Sequence, residues 1–318
     1  MEFSHRSMDH DKEIVRLKRS DAGIPVCYCF DKAYANFTAV SSYSLHVNSP
    51  IPPKIFWVIP ARDFEYCLNL LNQINKIGMD ITLIKLNDEH FVGWQGHNTA
   101  YFRLLLPQLL DIDKIIYIDS DTIVVSDLRE LFEQDLSDSL VAGVIDPGGH
   151  TSNIFHHLHK PEPYLNAGLL VMNLKLMREM NFIEACKRIY FRFKDEINYG
   201  DQDVLNLVSV GRKKVLDPKF CFLMQPNLFT YDQFNAEVRN SDVIHFVGST
   251  KPWMKWCNPK VVEFWWDFAN KLDIEDLRAE EITNIMHVLF LAQVHDINEE
   301  YQAASQWKSK AIELFMRK

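Results

Sequence analysis

Residues 114–125 read KIIYIDSDTIVV, an apolar run, two carboxylates and a second apolar run. A short apolar run rich in β-branched residues is typical of a buried strand. Asp119 and Asp121 come directly after that run, where an open α/β sheet usually binds its ligand. Residues two apart share a face of an extended segment, so both carboxylates can point at one ion while Ser120 points away.

The two carboxylates have two possible roles. Like charges so close repel each other, and a bound divalent cation relieves that repulsion. Carboxylate oxygens suit hard cations such as Mn²⁺ or Mg²⁺. The alternative is a solvated turn in which Asp119 serves as a cap. The apolar strands on both sides favour the metal site, but they leave both interpretations open.

The composition is that of an ordinary globular protein, with 318 residues, 47% hydrophobic and 24% charged. This length fits one large α/β domain or one domain with an appendage. The formal net charge of −9 argues against nucleic acid as a partner. The six cysteines include no Cys-x-x-Cys pair, which predicts reduced, mostly buried thiols rather than a zinc site.

The ends of the chain carry no sign of a secretory signal or a membrane span. Residues 1–21 are polar and charged, without an apolar signal core, and no apolar run elsewhere is long enough to cross a membrane. We therefore expect a cytoplasmic chain that begins with a flexible lead-in over residues 1–22.

Strands and helices alternate over the first 125 residues. The predicted strands cover residues 24–30, 54–59, 80–85 and 114–118, and the predicted helices cover 36–47, 63–77 and 99–110. This alternation predicts an α/β fold with a mostly parallel sheet flanked by helices. Right-handed crossovers would then place Asp31 and Asp119 at the same edge of the sheet.

The second half of the chain continues with further strands and helices. Predicted strands cover 140–145, 164–173 and 243–248, and predicted helices cover 182–197, a stretch from about 201, and 259–272. Residues 148–163 are rich in Gly, His and Pro and predict a mobile lid or acceptor loop. The four histidines of that loop match no standard metal-ligand pattern; they are His150, His156, His157 and His159. We expect a main domain over 23–274 and a helical extension throughout 275–318.

Several polar motifs recur in a fixed order after the predicted strands. They are Asp31, Asp119-x-Asp121, Asp146, Asn166-Ala167-Gly168, Gly200-Asp201-Gln202-Asp203, and the His-x-x-Gly-x-x-Lys-Pro-Trp motif of residues 245–253. Together they resemble the family 8 glycosyltransferases, retaining enzymes of the GT-A fold that include bacterial lipopolysaccharide galactosyl- and glucosyltransferases and glycogenin. The resemblance runs from about Val26 to Trp253, so it implies a GT-A catalytic domain over residues 23–274.

The resemblance implies a metal ion, Mn²⁺ or alternatively Mg²⁺. Asp119 and Asp121 match the family's metal-binding acids, and His245 matches the third protein ligand. Lys251 matches a residue that contacts the diphosphate of the nucleotide sugar. Gly248 would let the backbone approach a phosphate closely. Together with Asp119, Ser120 is placed among the nucleotide contacts.

The nucleotide and the donor sugar each have matching residues as well. Asp31 matches the acid on the uracil or ribose side, Tyr34 matches a base-stacking aromatic, and Cys29 would contact the base through its backbone. Ala33 stands where the family often carries Asn. The donor-sugar pocket is matched by Arg103, Asp146, Asn166, Ala167, Asp201 and Gln202.

The resemblance assigns catalysis to Gln202, Asp201 and Asp146. A double displacement needs a carboxylate nucleophile close to the anomeric carbon, and the amide of Gln202 is a poor nucleophile. We therefore expect a front-side displacement that retains the α-linkage of the donor. A double displacement through Asp146 or Asp201 is the alternative.

The implied function is transfer of galactose or glucose from UDP-galactose or UDP-glucose to a glycan or glycolipid acceptor, such as a lipopolysaccharide core. A protein- or glycogen-priming glucosyltransferase and a non-catalytic nucleotide-sugar-binding protein are the alternatives. A nucleotidyltransferase would need a Gly-rich phosphate loop after the first strand, and residues 30–34 contain none. The C-terminal residues from Trp307 onward interleave aromatic and basic side chains. They suggest either peripheral contact with the inner membrane or a helix packed on the domain.

Overall fold

The computed structural model describes residues 22–87, 99–154 and 162–316 in full, and the backbone alone of residues 5–9 and 12–16. The strands are β1 (His5–Asp9), β2 (Lys12–Arg16), β3 (Pro25–Cys29), β4 (Lys54–Pro60), β5 (Asp80–Leu86), β6 (Lys114–Ile118), β7 (Thr122–Val124), β8 (Val141–Ile145), β9 (Leu165–Asn173), β10 (Lys213–Val215), β11 (Phe222–Met224) and β12 (Val243–Phe246). The α-helices are α1 (Ala35–Val47), α2 (Phe64–Ile74), α3 (Leu106–Leu109), α4 (Arg129–Phe132), α5 (Leu174–Glu179), α6 (Phe182–Phe193), α7 (Asp201–Val208), α8 (Tyr231–Asn240), α9 (Pro259–Ala269), α10 (Ile285–Ile297) and α11 (Tyr301–Met316).

The main sheet has the strand order β1-β2-β5-β4-β3-β6-β9-β8-β10. Strands β5, β4, β3 and β6 pair in parallel, and β8 pairs in parallel with β10. Of the described strands in this sheet, only β2 and β9 run against the others, because each pairs antiparallel with both of its neighbours. The α/β fold with a mostly parallel sheet flanked by helices is therefore confirmed.

The second apolar run of the opening stretch does not continue the main sheet. Instead, β7 pairs antiparallel with β12, and β12 pairs in parallel with β11, to form a separate small sheet. The tight turn between β6 and β7 therefore joins the two sheets. Asp119 and Asp121 lie in that turn.

The N-terminal residues differ from the expected flexible lead-in. Strands β1 and β2 form an antiparallel pair, and β2 extends the main sheet by pairing with β5. The sequence of β2, KEIVR, has three charged residues and only two apolar ones, Ile14 and Val15. Because polar residues dominate the segment, its composition alone did not indicate a strand.

The C-terminal extension is helical only in part. Helices α10 and α11 pack against each other as a hairpin, but the prediction of helix from residue 275 onward is wrong for residues 275–284. That segment contains a turn at 275–276 and no helix, and Glu280 forms a bridge with Met254 of the main domain. Backbone hydrogen bonds join Glu280 to Trp253 and Lys255, which explains why the segment does not coil.

The core lies on both faces of the main sheet and between the sheets. Trp57, Trp253 and Trp265 are among its largest fully buried side chains. All six cysteines are free and buried, as their spacing predicted. No helix within the described residues is both long and apolar enough to cross a membrane. His156, His157 and His159 of the expected lid loop lie outside the described residues.

Ile116→Ala tests the central position of β6. Ile116 is fully buried and lies between Val26 of β3 and Val171 of β9. Truncating such a side chain leaves a cavity and should lower the free energy of unfolding by about 2–5 kcal/mol. Urea unfolding followed by circular dichroism measures the change. Ile312→Ala on α11, where Ile312 is 64% exposed, serves as the control and should change it by less than about 0.5 kcal/mol. Equal losses in the two variants would contradict this description of the core.

Candidate functional site

The turn between the sheets is held by both of them. The backbone N–H of Asp119 donates to the carbonyl of Gly168 in β9, at 2.8 Å. The carbonyl of Asp121 accepts from the N–H of Phe246 in β12, at 2.9 Å. The hydroxyl of Ser120 is hydrogen-bonded to that of Thr38 at 2.7 Å, so this side chain is directed away from the acids, as predicted. The backbone that carries the two carboxylates is thus held from opposite sides by the two sheets.

Asp119, Asp121 and His245 converge on one point. His245 Nε2 lies 3.2 Å from Asp121 Oδ1 and 3.9 Å from Asp119 Oδ2. One ligand atom from each residue lies within 4.8 Å of the other two. Two carboxylate oxygens and one imidazole nitrogen are a donor set that suits Mn²⁺ or Mg²⁺ better than a soft metal. The three residues expected to hold a metal are therefore brought together.

Lys251 completes the charge balance of this cluster. Its ammonium group lies 2.5 Å from Asp121 Oδ2 and also donates to the carbonyl of Phe246. Burial opposes ionisation of Asp121, but His245 and Lys251 outweigh it and hold the pKa of this carboxyl well below its usual range. Burial by itself would lower the pKa of His245, but the Asp121 carboxylate raises that pKa to about 10. A metal ligand must be a neutral imidazole, so a cation bound to these acids would displace the His245 proton.

Arg103 connects the metal-site acids to the start of α7. It is buried, and its guanidinium donates to Asp119 Oδ1 at 3.1 Å and to the carbonyl of Ala167. Its Nε lies 2.8 Å from Asp201 Oδ2 but directs its hydrogen at the carbonyl of Ala100, so the contact with Asp201 is an ion pair. Burial raises the pKa of Asp201, and Arg103 opposes that rise. The expected arginine is therefore paired with two acids at once.

Gln202 lies at the centre of the residues expected at the donor sugar. Its Oε1 accepts from the N–H of Ala167 at 2.8 Å, and its Nε2 donates to Asp146 Oδ2 at 3.0 Å. The same oxygen of Asp146 accepts from Asn166 Nδ2 at 3.0 Å. Gln202, Asp146, Asn166 and Ala167 therefore form one continuous network beside the Arg103–Asp201 pair.

A cleft of about 230 Å³ opens next to the acids. Its lining includes Cys29 and Tyr34, two residues expected at the nucleotide base, together with Arg103 and the turn at 119–121. Tyr34 is 40% exposed, with its ring edge-on to Trp253. The carboxylate of Asp31 caps the N–H of Ala33 at 3.0 Å, so the structure gives this residue a capping role as well. Asp31 follows β3 and Asp119 follows β6, the adjacent parallel strand, as predicted.

Two glycines of the site, Gly248 and Gly168, cannot easily be replaced by residues with side chains. Gly248 has a φ of +83°, a conformation that side chains rarely adopt. A Cβ on Gly168 would lie 2.0 Å from His245 Cε1, so His245 can reach the acids only because residue 168 has no side chain.

Sequence reasoning missed several residues of the site. Tyr117 donates its hydroxyl to Asp119 Oδ1 at 2.6 Å, and its ring lies under the guanidinium of Arg103. Its spacing of two residues from Asp119 in a strand is a signal that could have identified it. Glu280 accepts a hydrogen bond from Trp253 Nε1 at 3.2 Å and so supports the end of the Lys251 loop. No local motif marks Glu280, because the contact depends on the path of the C-terminal extension.

Comparison with known proteins gives a consistent result. The family model described as glycosyl transferase family 8 matches residues 25–257, well over half of the chain. "General stress protein A" of Bacillus subtilis is 28% identical over 255 residues, which cover 74% of this chain and 89% of that protein. A "Lipopolysaccharide 1,2-glucosyltransferase" of Escherichia coli K12 is 25% identical over 266 residues, 77% of each chain.

Two further relatives place the chain among glycosyltransferases of different length. "Glycosyltransferase GlyB" of Streptococcus pneumoniae is 28% identical over 229 residues, 67% of this chain, which spans only 53% of GlyB. A crystal structure of the galactosyltransferase LgtC in complex with donor and acceptor sugar analogs superimposes with a TM-score of 0.68 at 25% identity. That match covers 79% of this chain and 97% of LgtC.

Gly168→Ala tests the close approach of His245. The added methyl group should displace the imidazole from the two acids and weaken Mn²⁺ binding by about 10–100-fold, the usual effect of disturbing a group that orients a metal ligand. Calorimetric titration with MnCl₂ measures the affinity. Gly211→Ala is the control: its φ of +70° predicts a loss of about 1–2 kcal/mol of stability, but no heavy atom lies within 4 Å of the new methyl, so Mn²⁺ affinity should not change. A folded Gly168→Ala protein with unchanged Mn²⁺ affinity would contradict the assignment.

Proposed function

The chain belongs to glycosyl transferase family 8, and we propose that it moves a hexose from a UDP-sugar to a glycan or glycolipid acceptor with retention of the α-linkage. The observation that carries this proposal is the convergence of Asp119, Asp121 and His245 beside the Lys251 ammonium group. A cation held by these side chains, next to the Lys251 ammonium group and an open cleft, suits a diphosphate leaving group. The donor proposed is UDP-galactose or UDP-glucose.

The three clustered side chains would hold Mn²⁺, or Mg²⁺ in its place. Their donor atoms fit such an ion. The close packing of His245 against Gly168, which brings the imidazole to the acids, supports the same role. When bound, the ion would supply positive charge to stabilise the departing diphosphate. Lys251, which is 8% exposed and already lies against Asp121, would contact the same diphosphate and add a second positive charge.

The nucleotide would occupy the cleft beside the acids. Tyr34 offers an exposed ring for stacking on uracil, and the backbone of Cys29 lines the same cleft. We assign Asp31 to the ribose or uracil side and Gly248 to the phosphates, with Asp119 and Ser120 as further nucleotide contacts. These assignments rest on the resemblance of the motifs and on the position of the cleft.

The sugar would lie over the network centred on Gln202. Asp146, Asn166 and Asp201 would orient its hydroxyl groups, with Arg103 and Ala167 completing the pocket. In the reaction, the bond from the anomeric carbon to the phosphate oxygen breaks, and a bond to the acceptor oxygen forms on the same face. The acceptor's proton passes to the departing phosphate oxygen, so charge and atoms balance.

A front-side displacement suits this pocket better than a double displacement. Asp201 is buried and paired with Arg103, which makes its carboxylate a poor nucleophile. Asp146 is the other candidate nucleophile. Asn166 and Gln202 both donate hydrogen bonds to its Oδ2, which withdraws negative charge from that oxygen. Gln202 itself has an amide in place of a carboxylate. The remaining task for these groups is to hold the sugar and stabilise its developing positive charge.

The choice of a hexose rests on relatives. A curated lipopolysaccharide 1,2-glucosyltransferase and the galactosyltransferase LgtC both resemble this chain over more than three quarters of its length. We therefore propose a cell-surface glycan such as a lipopolysaccharide core as the acceptor.

Peripheral contact with the inner membrane is a further part of this proposal. Ile312, Phe315 and Met316 near the end of α11 are 64%, 69% and 77% exposed. Apolar side chains together with nearby lysines are the features that bring a helix to an anionic lipid surface.

Asp121→Asn tests the metal-dependent reaction. The wild-type protein with Mn²⁺ should release UDP slowly from UDP-galactose or UDP-glucose without an acceptor, and EDTA should stop the release. Asp121→Asn removes a charged ligand and should lower turnover by more than about 100-fold, as loss of a group that stabilises transition-state charge does.

Asp273→Asn is the matched control, because Asp273 forms an exposed ion pair with Lys76 far from the cluster. It should leave turnover and its EDTA sensitivity unchanged. Full activity of Asp121→Asn would rule out the metal assignment. Absence of UDP release from every UDP-sugar, with and without glycan acceptors, would rule out the proposed transfer.

Gln202→Ala separates the sugar pocket from the nucleotide site. The change removes an amide that contacts Asp146 and Ala167 but leaves the cleft beside Tyr34 intact. We expect kcat to fall about 10–100-fold while the dissociation constant of Mn²⁺–UDP changes less than about twofold. Steady-state kinetics and calorimetry measure the two quantities. An equal loss in both would place Gln202 at the nucleotide instead of the sugar.

A further inference from the structure

Tyr164 and Asp203 form a buried network behind Gln202. Tyr164 is 6% exposed and Asp203 is fully buried. The hydroxyl of Tyr164 donates to Asp203 Oδ1 at 2.7 Å and accepts from Gln202 Nε2 at 3.2 Å. Tyr164 therefore stands between a buried carboxylate and the amide at the donor sugar.

Both oxygens of the Asp203 carboxylate accept hydrogen bonds from neighbouring residues. Its Oδ1 accepts from Tyr164 and from the hydroxyl of Ser152 at 2.8 Å. Its Oδ2 accepts from the backbone N–H groups of Asn198 and Tyr199, at 2.7 and 2.9 Å. With four donors around it, Asp203 can only accept, so the proton of the Tyr164 hydroxyl must point toward it. Burial and this carboxylate also raise the pKa of Tyr164 well above its usual range, which keeps the hydroxyl protonated.

The direction of that proton decides the orientation of the Gln202 amide. Because the Tyr164 hydroxyl donates its hydrogen to Asp203, its oxygen can only accept from Gln202. It accepts a hydrogen bond from one N–H of Nε2. Asp146 accepts a hydrogen bond from the other N–H of Nε2. The N–H of Ala167 can only donate, so it requires Oε1 on its own side. All three partners thus specify the same orientation of the amide.

The amide then has one unused capacity for hydrogen bonding. Both hydrogens of Nε2 are occupied, and Oε1 has accepted one bond with one of its two lone pairs. A substrate group that meets this amide finds a partly negative carbonyl oxygen and no available N–H. Such an oxygen would stabilise the positive charge that develops at the anomeric carbon of the sugar.

We propose that Tyr164 is a positioning residue for the transfer: held by Asp203, it fixes the Gln202 amide so that the carbonyl oxygen faces the donor sugar. This inference rests on the proposed function for its consequence in catalysis, but the orientation of the amide itself does not. Without the hydroxyl, one hydrogen of Nε2 loses its partner, and only the bonds to Ala167 and Asp146 still hold the amide in this orientation.

The experiment is a double-mutant cycle with Tyr164→Phe and Gln202→Ala. Tyr164→Phe keeps the buried ring and should lower kcat for UDP release from UDP-galactose or UDP-glucose by roughly 10-fold, with the dissociation constant of Mn²⁺–UDP unchanged. In the Gln202→Ala background the same change should have no further effect on kcat, because Tyr164 acts through Gln202. An equal loss of kcat in both backgrounds would indicate a structural role only and would overturn the inference.

Tyr231→Phe is the matched control. Its hydroxyl also donates to a carboxylate, Glu300 Oε2 at 3.0 Å, but it lies at the C-terminal helices and outside this network. Kinetics and UDP affinity of Tyr231→Phe should equal those of the wild type. A loss of kcat equal to that of Tyr164→Phe would show a general cost of removing a hydrogen bond between a tyrosine and a carboxylate and would overturn the inference.

A second readout does not depend on activity. The side-chain amide signals of Gln202, identified in ¹⁵N-labelled protein by their absence from Gln202→Ala, should exchange slowly with solvent in the wild type. They should exchange at least about 10-fold faster in Tyr164→Phe, because one of the two amide hydrogens has lost its acceptor. Unchanged exchange in Tyr164→Phe would overturn the inference. A wild type that shows the protected amide but transfers no sugar would instead count against the proposed function.

Discussion

The turn of residues 119–121 depends on being held by two sheets at once. The large sheet binds the N–H of Asp119 through Gly168, and the small sheet binds the carbonyl of Asp121 through Phe246. These two bonds bring β9 and β12 to the same three residues, so Gly168 and His245 face each other across the turn. Asn166 and Ala167, which belong to the hydrogen-bonded network around Gln202, lie in β9. The loop that carries Lys251 follows β12. Every part of the candidate site is therefore placed relative to this one turn.

Charge balance explains why so many ionisable groups can be buried together. Asp119 and Asp201 share the guanidinium of Arg103, and Asp121 is shared by Lys251 and His245. Each acid near the turn thus faces at least one cation within about hydrogen-bond distance, which offsets the cost of removing the charges from water. The same arrangement separates two tasks. In the proposed reaction, the pairs on Asp121 would face the metal and the diphosphate, whereas the Arg103–Asp201 pair would join the acids to the sugar side.

The sequence alone indicated the parallel half of the sheet and the residues that follow its strands, because apolar runs and strand-end acids are local signals. It also brought Asp119, Asp121, His245 and Lys251 together, although only through the order of several motifs. The small sheet was not predictable, since β7 is a three-residue strand whose partner β12 lies more than a hundred residues away. Residues 275–284 were wrongly predicted as helix because their conformation depends on a distant contact, the bridge between Glu280 and Met254. Tyr164 and Tyr117 carried no motif of their own, and their roles follow from the partners that the fold supplies.

The central claim is that Asp119, Asp121 and His245 bind one divalent cation together with the nucleotide. The measurement that tests it most directly is anomalous diffraction at the manganese edge from crystals grown with MnCl₂ and UDP. We expect one strong peak in contact with all three side chains and with the diphosphate of UDP. A manganese peak elsewhere in the protein, or UDP bound in the cleft without a peak at these residues, would contradict it.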